Sequence, residues 1–161
     1  MAISVKADFF KTFHFLPAHE TNHLNDKIRR KDIILFKLSE KVFDSPILLK
    51  LLMFQSRQWL KREKTELAFS IAGYAHYLDR QYRRAVKFFL KSIEKNPLNV
   101  DNWFDLAFSL YHSDGKDLEL SKAIIFDHDF FIDYYHKLNI KKCSRKTIEK
   151  IHTKIQRSKK K

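Results

Sequence analysis

Large and small apolar residues recur along the chain in a pattern with a period of about 34 residues. The clearest copy has a large residue at Phe69, a small pair at Ala72 and Gly73, and a larger residue at His76. The equivalent positions one period later are Trp103, Leu106, Ala107 and Leu110, and those one period earlier are Leu35, Leu38, Ser39 and Val42. Three copies at one constant period indicate an internal repeat.

The central copy, residues 66–99, continues with features that favour a second helix. Ala85 and Phe89 have the spacing A-x3-F, and the copy closes at Pro97, which cannot extend the helix before it. We expect small residues where two helices cross closely, and large residues in the space between one helix pair and the next. The small residues are Gly73, Ala85 and Ser92, and the large ones are Phe69, Tyr82 and Phe89. Asn99 or Asp101 is expected to cap the helix that follows.

These features resemble the tetratricopeptide repeat, a helix-turn-helix unit of about 34 residues. The resemblance covers one good copy at 66–99 and divergent copies at 32–65 and 100–138. It implies an all-α fold, a short α-solenoid of helix-turn-helix repeats. In the first copy the expected second helix, 47–64, lacks the small residues. In the third copy the turn after Ser113 is longer, and we expect helix from Leu118 to near Tyr135.

The two ends of the chain lie outside the repeats, so we expect three parts. They are an aromatic-rich arm at 1–26, a helical repeat domain at 27–139, and a basic capping helix with its tail at 140–161. In the last part Ser144 is the expected N-cap, and an apolar stripe follows at Ile148, Ile151 and Ile155, as in a helix that covers the final repeat. The arm contains Phe9, Phe10, Phe13 and Phe15. It either caps the repeats or lies in a groove, its own or that of a second copy in a homo-oligomer.

Composition agrees with helical structure and excludes several classes. Two glycines and three prolines in 161 residues are too few for the turns of a β-sandwich, a barrel or a Gly-rich phosphate loop. The single Cys143 excludes an internal disulfide and a multi-cysteine zinc site. The longest run without a charged residue is twelve residues, 67–78, whereas a membrane-spanning helix needs about 20 apolar residues. We therefore expect a cytoplasmic protein without a membrane span.

The net charge of +13 is concentrated at the C-terminus, where residues 141–161 hold ten Lys or Arg residues and one acid. Such an end is either a solvated helix or an electrostatic contact for nucleic acid.

Three local motifs suggest chemistry, and none of them predicts an enzyme. Residues 19–23 read H-E-x-x-H, a zinc-peptidase pattern, but Pro17 lies two residues upstream and no third ligand follows at a recognisable spacing. Surface histidines are the main interpretation, with a non-catalytic metal contact as the alternative. The acidic and histidine residues at 127–129 are expected on a solvated helix face. Cys143 stands among basic residues that would lower its pKa, and we expect an exposed thiol. No catalytic site, cofactor or metal is expected.

The resemblance also implies a binding surface, because in this family the first helix of each repeat lines a concave groove that receives a peptide of another protein. Carried over position by position, the groove residues are Ser70, Tyr74, Tyr77, Phe104, Phe108 and Tyr111. The two helices contain no Lys or Arg, and the second adds Asp101 and Asp105. An aromatic, mildly acidic groove favours an apolar or helical peptide with some basic character. These aromatic residues could instead be buried by the next repeat or by the Phe-rich arm.

The sequence therefore predicts a protein–protein interaction module, an adaptor, scaffold or chaperone-like protein. The alternative is a nucleic-acid-binding protein that uses the C-terminal helix and a basic stripe on the outer surface. The residues of that alternative contact are Arg84, Lys87, Lys91, Arg145, Lys146 and Lys150.

Overall fold

The computed structural model describes residues 46–113 and 117–161, and within these ranges the chain forms helices and the turns between them. The helices are α1 (Pro46–Arg62), α2 (Glu66–Leu78), α3 (Tyr82–Lys95), α4 (Val100–Ser113), α5 (Leu118–Phe126), α6 (His128–Lys137) and α7 (Arg145–Lys159). From α1 to α5 each helix packs mainly on the next one in sequence, and α7 packs on α6 and α5. The all-α prediction is confirmed for this part of the chain. The Phe-rich arm, the first helix of the copy at 32–65 and the motif at 19–23 lie outside the described residues.

Local signals set both ends of α2. Thr65 is extended, and its Oγ1 accepts a hydrogen bond of 3.2 Å from the backbone N–H of Ala68, which caps the first turn. At the other end Arg80 has a φ of 60°. The N–H groups of Arg80 and Gln81 donate to the carbonyls of Tyr77 and His76 at 3.0 and 2.8 Å. This is a Schellman motif, in which a left-handed residue reverses the chain at once, so α3 returns directly along α2.

Helices α2 and α3 approach each other closely at Gly73. A Cβ atom at residue 73 would lie 2.7 Å from Cε1 of Phe89, which is closer than van der Waals contact allows. Ala85 and Ser92, the other small residues of this copy, are fully buried. The prediction that small residues mark a close helix crossing is confirmed.

Glu66 joins the N-terminus of α2 to the turn between α3 and α4. Its carboxylate accepts hydrogen bonds from the side-chain amides of Asn96, Asn99 and Asn102 at 3.0, 2.6 and 2.7 Å. Oδ1 of Asn99 accepts the backbone N–H of Asp101 at 3.1 Å, so Asn99 performs the capping role predicted for it. These bonds fix the position of α4 relative to the α2–α3 pair.

The helix expected from 118 to near 135 is interrupted, so the prediction of one helix is wrong. Asp127 has a φ of −119° and a ψ of 25° and separates α5 from α6. Both oxygens of its carboxylate accept hydrogen bonds from Nζ of Lys159 on α7, each 2.7 Å long. Beyond the break, the ring of Tyr135 packs edge-on against Trp103 with centroids 5.9 Å apart. A contact with a distant helix accompanies this break, and the local pattern of apolar residues does not reveal such a contact.

Helix α7 begins and packs as its sequence predicts. The Oγ of Ser144 accepts the backbone N–H of Thr147 at 3.3 Å. Ile148, Ile151 and Ile155 are each at most 1% exposed. Both the N-cap and the buried isoleucine stripe are therefore confirmed.

Candidate binding surfaces

The half of the expected groove that lies on α2 is buried. Every residue of α2 from 68 to 77 is buried, and this includes Ser70, Tyr74 and Tyr77, with Tyr74 only 1% exposed. The hydroxyl of Ser70 is 2.6 Å from Oγ of Ser92 on α3 and donates to Oδ1 of Asn102 on α4 at 2.9 Å. This corrects the expectation that these three residues line an accessible groove. A helix that is apolar on all sides is covered on all sides.

The groove residues on α4 become more accessible toward its C-terminal end. Phe104 and Phe108 are half-buried, and the ring of Phe104 meets the imidazole of His128 edge-on at 5.2 Å. Tyr111, one turn beyond Phe108, is 51% exposed. Because the three residues are spaced by four and three positions, they share one face of the helix.

Four rings form an aromatic cluster where the turn between α2 and α3 meets the end of α4. The aromatic cluster consists of Tyr77, Tyr82, Tyr111 and His112. The imidazole of His112 stands at its centre, with ring centroids 5.8 Å from Tyr77, 5.4 Å from Tyr82 and 4.8 Å from Tyr111. Tyr77 is buried, whereas Tyr82 and His112 are half-buried and Tyr111 is exposed. The structure thus connects two of the predicted groove residues, Tyr77 and Tyr111, through His112.

Tyr82 and His112 are not among the residues that the resemblance places in the groove. The repeat pattern predicts Tyr82 in the space between helix pairs and predicts no role for His112. The feature of the sequence that could have identified both is their position at helix ends. Tyr82 is the first residue of α3, and His112 is the next-to-last residue of α4. Because helices joined by short turns run antiparallel to their neighbours, the end of α2, the start of α3 and the end of α4 lie at the same end of the array.

A cleft of about 380 Å³ borders the same turn on the side of α1. Leu49, Met53 and Phe54 provide its apolar lining, and Asp79 and Gln81 of the turn contribute polar groups. The turn therefore borders both this cleft and the aromatic cluster.

The α4 face carries less negative charge than its sequence suggests. Asp105 is only 2% exposed, and burial together with the nearby Asp101 raises the pKa of its carboxyl well above the usual range. Its Oδ1 has no hydrogen-bond partner among the described residues. Because burial disfavours the charged form of a carboxyl, Asp105 contributes less than Asp101 to the mildly acidic character expected of the groove.

One residue of the alternative anionic contact is held by ion pairs within the described part of the chain. Arg145 is engaged, because its guanidinium pairs with Asp117 and with Glu149, the latter at 3.1 Å. This pairing removes Arg145 from the expected contact. The other five residues are exposed on α3 and α7, namely Arg84, Lys87, Lys91, Lys146 and Lys150.

Two further apolar patches are exposed, and the repeat pattern does not predict them as binding surfaces. Phe126, at the end of α5, is 80% exposed, and Phe130 on α6 is also exposed. The helical period could have identified Phe126, since it places this residue on the side of α5 opposite the buried Ile124. The second patch lies on α1 and consists of Ile47, Leu51 and Phe54.

Cys143 is buried, which corrects the expectation of an exposed and reactive thiol. Its backbone N–H donates to Oε2 of Glu94 on α3 at 3.0 Å. Burial, with a smaller contribution from the charge of Glu94, raises the pKa of the thiol to about 12. The neighbouring lysines, Lys141 and Lys142, are exposed and do not reverse this effect.

The residues at 127–129 have structural partners. Asp127 binds Lys159 as described, Nδ1 of His128 is 3.1 Å from the carbonyl oxygen of Ile125, and Nε2 of His128 is 3.3 Å from the carboxylate of Asp129.

Across residues 46–113 and 117–161, no three His, Cys, Asp or Glu side chains are grouped so that they could hold a metal ion. In the same ranges no helix has the length and apolar character needed to cross a bilayer.

Comparison with known proteins identifies no relative. No family model matches the chain, and neither the curated proteins nor the solved structures contain a match. The function is therefore inferred from the residues of this chain alone.

Proposed function

We propose that this protein is a protein–protein interaction module without catalysis of its own, built as a short α-solenoid of tetratricopeptide-like repeats. It acts as an adaptor, scaffold or chaperone-like protein in the cytoplasm, and it binds a peptide or helix of its partner. The observation that carries the proposal is the aromatic cluster, in which an exposed Tyr111 ring packs on the ring of His112.

The repeat architecture is supported by the burial of residues that are one repeat period apart. The pairs Phe69 and Trp103, Ala72 and Leu106, and His76 and Leu110 are all buried in α2 and α4. Gly73 and Ala107 are also equivalent. Phe89 of α3 lies against Gly73, and Oγ of Ser121 on α5 donates to the carbonyl of Ala107 at 2.6 Å. Both helix pairs therefore have a close contact at the same position of the repeat.

The aromatic cluster has the properties of an anchor site for a partner peptide. Its rings are already held by one another, so a ligand would not have to order them, and less conformational entropy is lost on binding. Tyrosine offers a large apolar surface with a polar edge and is enriched among residues that dominate binding energy. Phe108 one turn away and the cleft beside α1 provide contacts for neighbouring side chains of the same peptide.

The test starts from a random-peptide display selection on the full chain, followed by fluorescence polarisation with one selected, labelled peptide. Replacing Tyr111 by Ala removes an exposed ring and leaves the buried floor in place. We expect Tyr111→Ala to weaken binding at least about tenfold, the effect of losing an anchor worth about 1.4 kcal/mol.

Phe126→Ala is the matched control, because Phe126 is an exposed aromatic residue outside the cluster. Its affinity for the peptide should equal that of the unchanged protein. The proposal fails if no peptide is enriched, or if Phe126→Ala weakens binding and Tyr111→Ala does not. Circular dichroism of both variants establishes that they are folded.

A further inference from the structure

The structure brings together two basic regions that are separate in the sequence. The hydrogen bond from the N–H of Cys143 to Oε2 of Glu94 places the last turn of α3 beside the segment that leads into α7. Lys91 and Lys95 on that turn and Lys141 and Lys142 on that segment are all exposed. The basic side of α3 is thus continued by α7 and its preceding segment.

Five of the six cations of α7 fall into two groups with different roles, and Lys154 belongs to neither group. Arg145 pairs with Asp117 near the start of the helix, and Lys159 pairs with Asp127 near its end. Asp117 and Asp127 are largely buried at the side chain, with exposures of 5% and 14%. These two cations therefore attach α7 to the rest of the domain.

The second group points away from the domain. At 100° per residue, Lys146, Lys150 and Arg157 lie within about 40° of one another, on the side of α7 opposite the buried isoleucine stripe. They span about 16 Å along the helix, and no ion pair engages them within the described part of the chain. We call these three residues the outer row.

We propose that the outer row, together with the adjoining basic end of α3, binds nucleic acid through its phosphates and without base selectivity. A duplex presents about one negative charge per 1.7 Å of axis, so a row of this length faces several phosphates at once. Contacts with phosphates alone position a protein on nucleic acid and carry no sequence information.

The composition of the outer row favours nucleic acid over two other kinds of anionic partner, an acidic protein surface and an anionic membrane. Thr153, which lies between these cations on the same face, is its only additional side chain, so the row offers no apolar anchor of the kind that stable protein interfaces contain. Helices that lie on a membrane surface add apolar side chains that enter the lipid to their basic ones, whereas the isoleucines of α7 are buried against the domain. Phosphate binding requires only the charge that is present.

The experiment titrates the full chain against a fluorescein-labelled, 20-base-pair DNA duplex of mixed sequence between 50 and 200 mM salt. The test variant is Lys146→Gln/Lys150→Gln/Arg157→Gln. The slope of log K against log salt is negative, and each lost phosphate contact reduces its magnitude by about 0.9. The slope should therefore become shallower by about 2.7, and a second duplex of different sequence should bind equally well.

The matched control is Lys50→Gln/Lys61→Gln/Lys64→Gln, which removes the same charge from exposed positions on and beside α1. Its slope should equal that of the unchanged protein. A second control, Arg145→Gln, should lower the stability of the fold and leave the slope unchanged, because Arg145 is an attachment residue.

Three results would overturn the proposal. The control triple could change the slope as much as the test triple, poly-glutamate could compete as well as unlabelled duplex at equal charge, or anionic phospholipid vesicles could bind when the duplex does not. The outer row lies outside the aromatic cluster, so the test triple should bind the selected peptide normally. Failure of one proposal therefore does not imply failure of the other.

Discussion

The substitution Gly73→Ala tests the packing of α2 on α3, because two effects change the free energy of unfolding in opposite directions. In an unconstrained helix, replacing an interior glycine by alanine stabilises the helix by about 1 kcal/mol. Here the added Cβ would lie 2.7 to 2.9 Å from three atoms of the Phe89 ring, which is itself fully buried, so any shift of the ring presses on its packed neighbours. Overpacking of this kind costs about 1–3 kcal/mol.

The overpacking cost exceeds the helix gain, so we expect Gly73→Ala to lower the free energy of unfolding by up to about 2 kcal/mol. For a chain of this size each kcal/mol corresponds to a fall in Tm of roughly 2–4 °C. Urea denaturation followed by circular dichroism at 222 nm measures the change in free energy, and a thermal scan measures the change in Tm.

The partner variant Phe89→Leu identifies the clash as the cause. Alone it should cost about 1 kcal/mol as a swap within the core. In the Gly73→Ala background it should cost less or restore stability, since it removes the ring atoms that the new Cβ meets. An increase in stability for Gly73→Ala alone would refute the reasoning, because it would show that α3 does not approach residue 73 closely.

Three further predictions concern a turn, a buried carboxyl and a buried thiol. Arg80 holds a positive φ of 60°, so Arg80→Gly should raise the free energy of unfolding by about 1 kcal/mol in urea denaturation, whereas Arg80→Ala should give no such gain. The unfolded chain releases the Asp105 proton near pH 4 and the folded protein only at higher pH, so stability should fall as the pH rises from 4 to 6. Over this range the free energy of unfolding of Asp105→Asn should therefore rise relative to that of the parent by up to about 1.4 kcal/mol per pH unit. The prediction is contradicted if the free energies of unfolding of the two proteins change with pH in the same way. Cys143 should react slowly with Ellman's reagent at pH 8 in the folded protein and rapidly in guanidinium, because burial raises its pKa to about 12; rapid reaction of the folded protein would count against its burial.

Much of the helical structure is predictable from local sequence, because its signals act over a few residues. Ser144 caps α7 from the position that a capping residue requires, and the isoleucines of α7 share one face by their spacing alone. Gly73 could be assigned to a close crossing because few other roles explain a glycine inside a helix. In each case the determining contact lies within one helix or one helix pair.

The accessible surface was harder to predict, because it depends on which neighbours cover each helix. Tyr74 and Phe108 occupy equivalent repeat positions, yet Tyr74 is buried and Phe108 is half-buried. Cys143 has basic neighbours in sequence, but the contact with Glu94, 49 residues away, accompanies its burial. Asp127 interrupts a helix where it meets Lys159, 32 residues away. Spacing shows which residues share a face, whereas tertiary packing decides whether that face meets solvent.

The central claim, that the aromatic cluster receives the partner, is tested most directly by NMR chemical-shift mapping with the selected peptide on the isotope-labelled full chain of 19.4 kDa. The account predicts the largest amide shifts at the turn between α2 and α3 and at the end of α4, around Tyr82, Tyr111 and His112. Largest shifts along α7, or around Phe126 and Phe130, with the aromatic cluster unchanged, would contradict it.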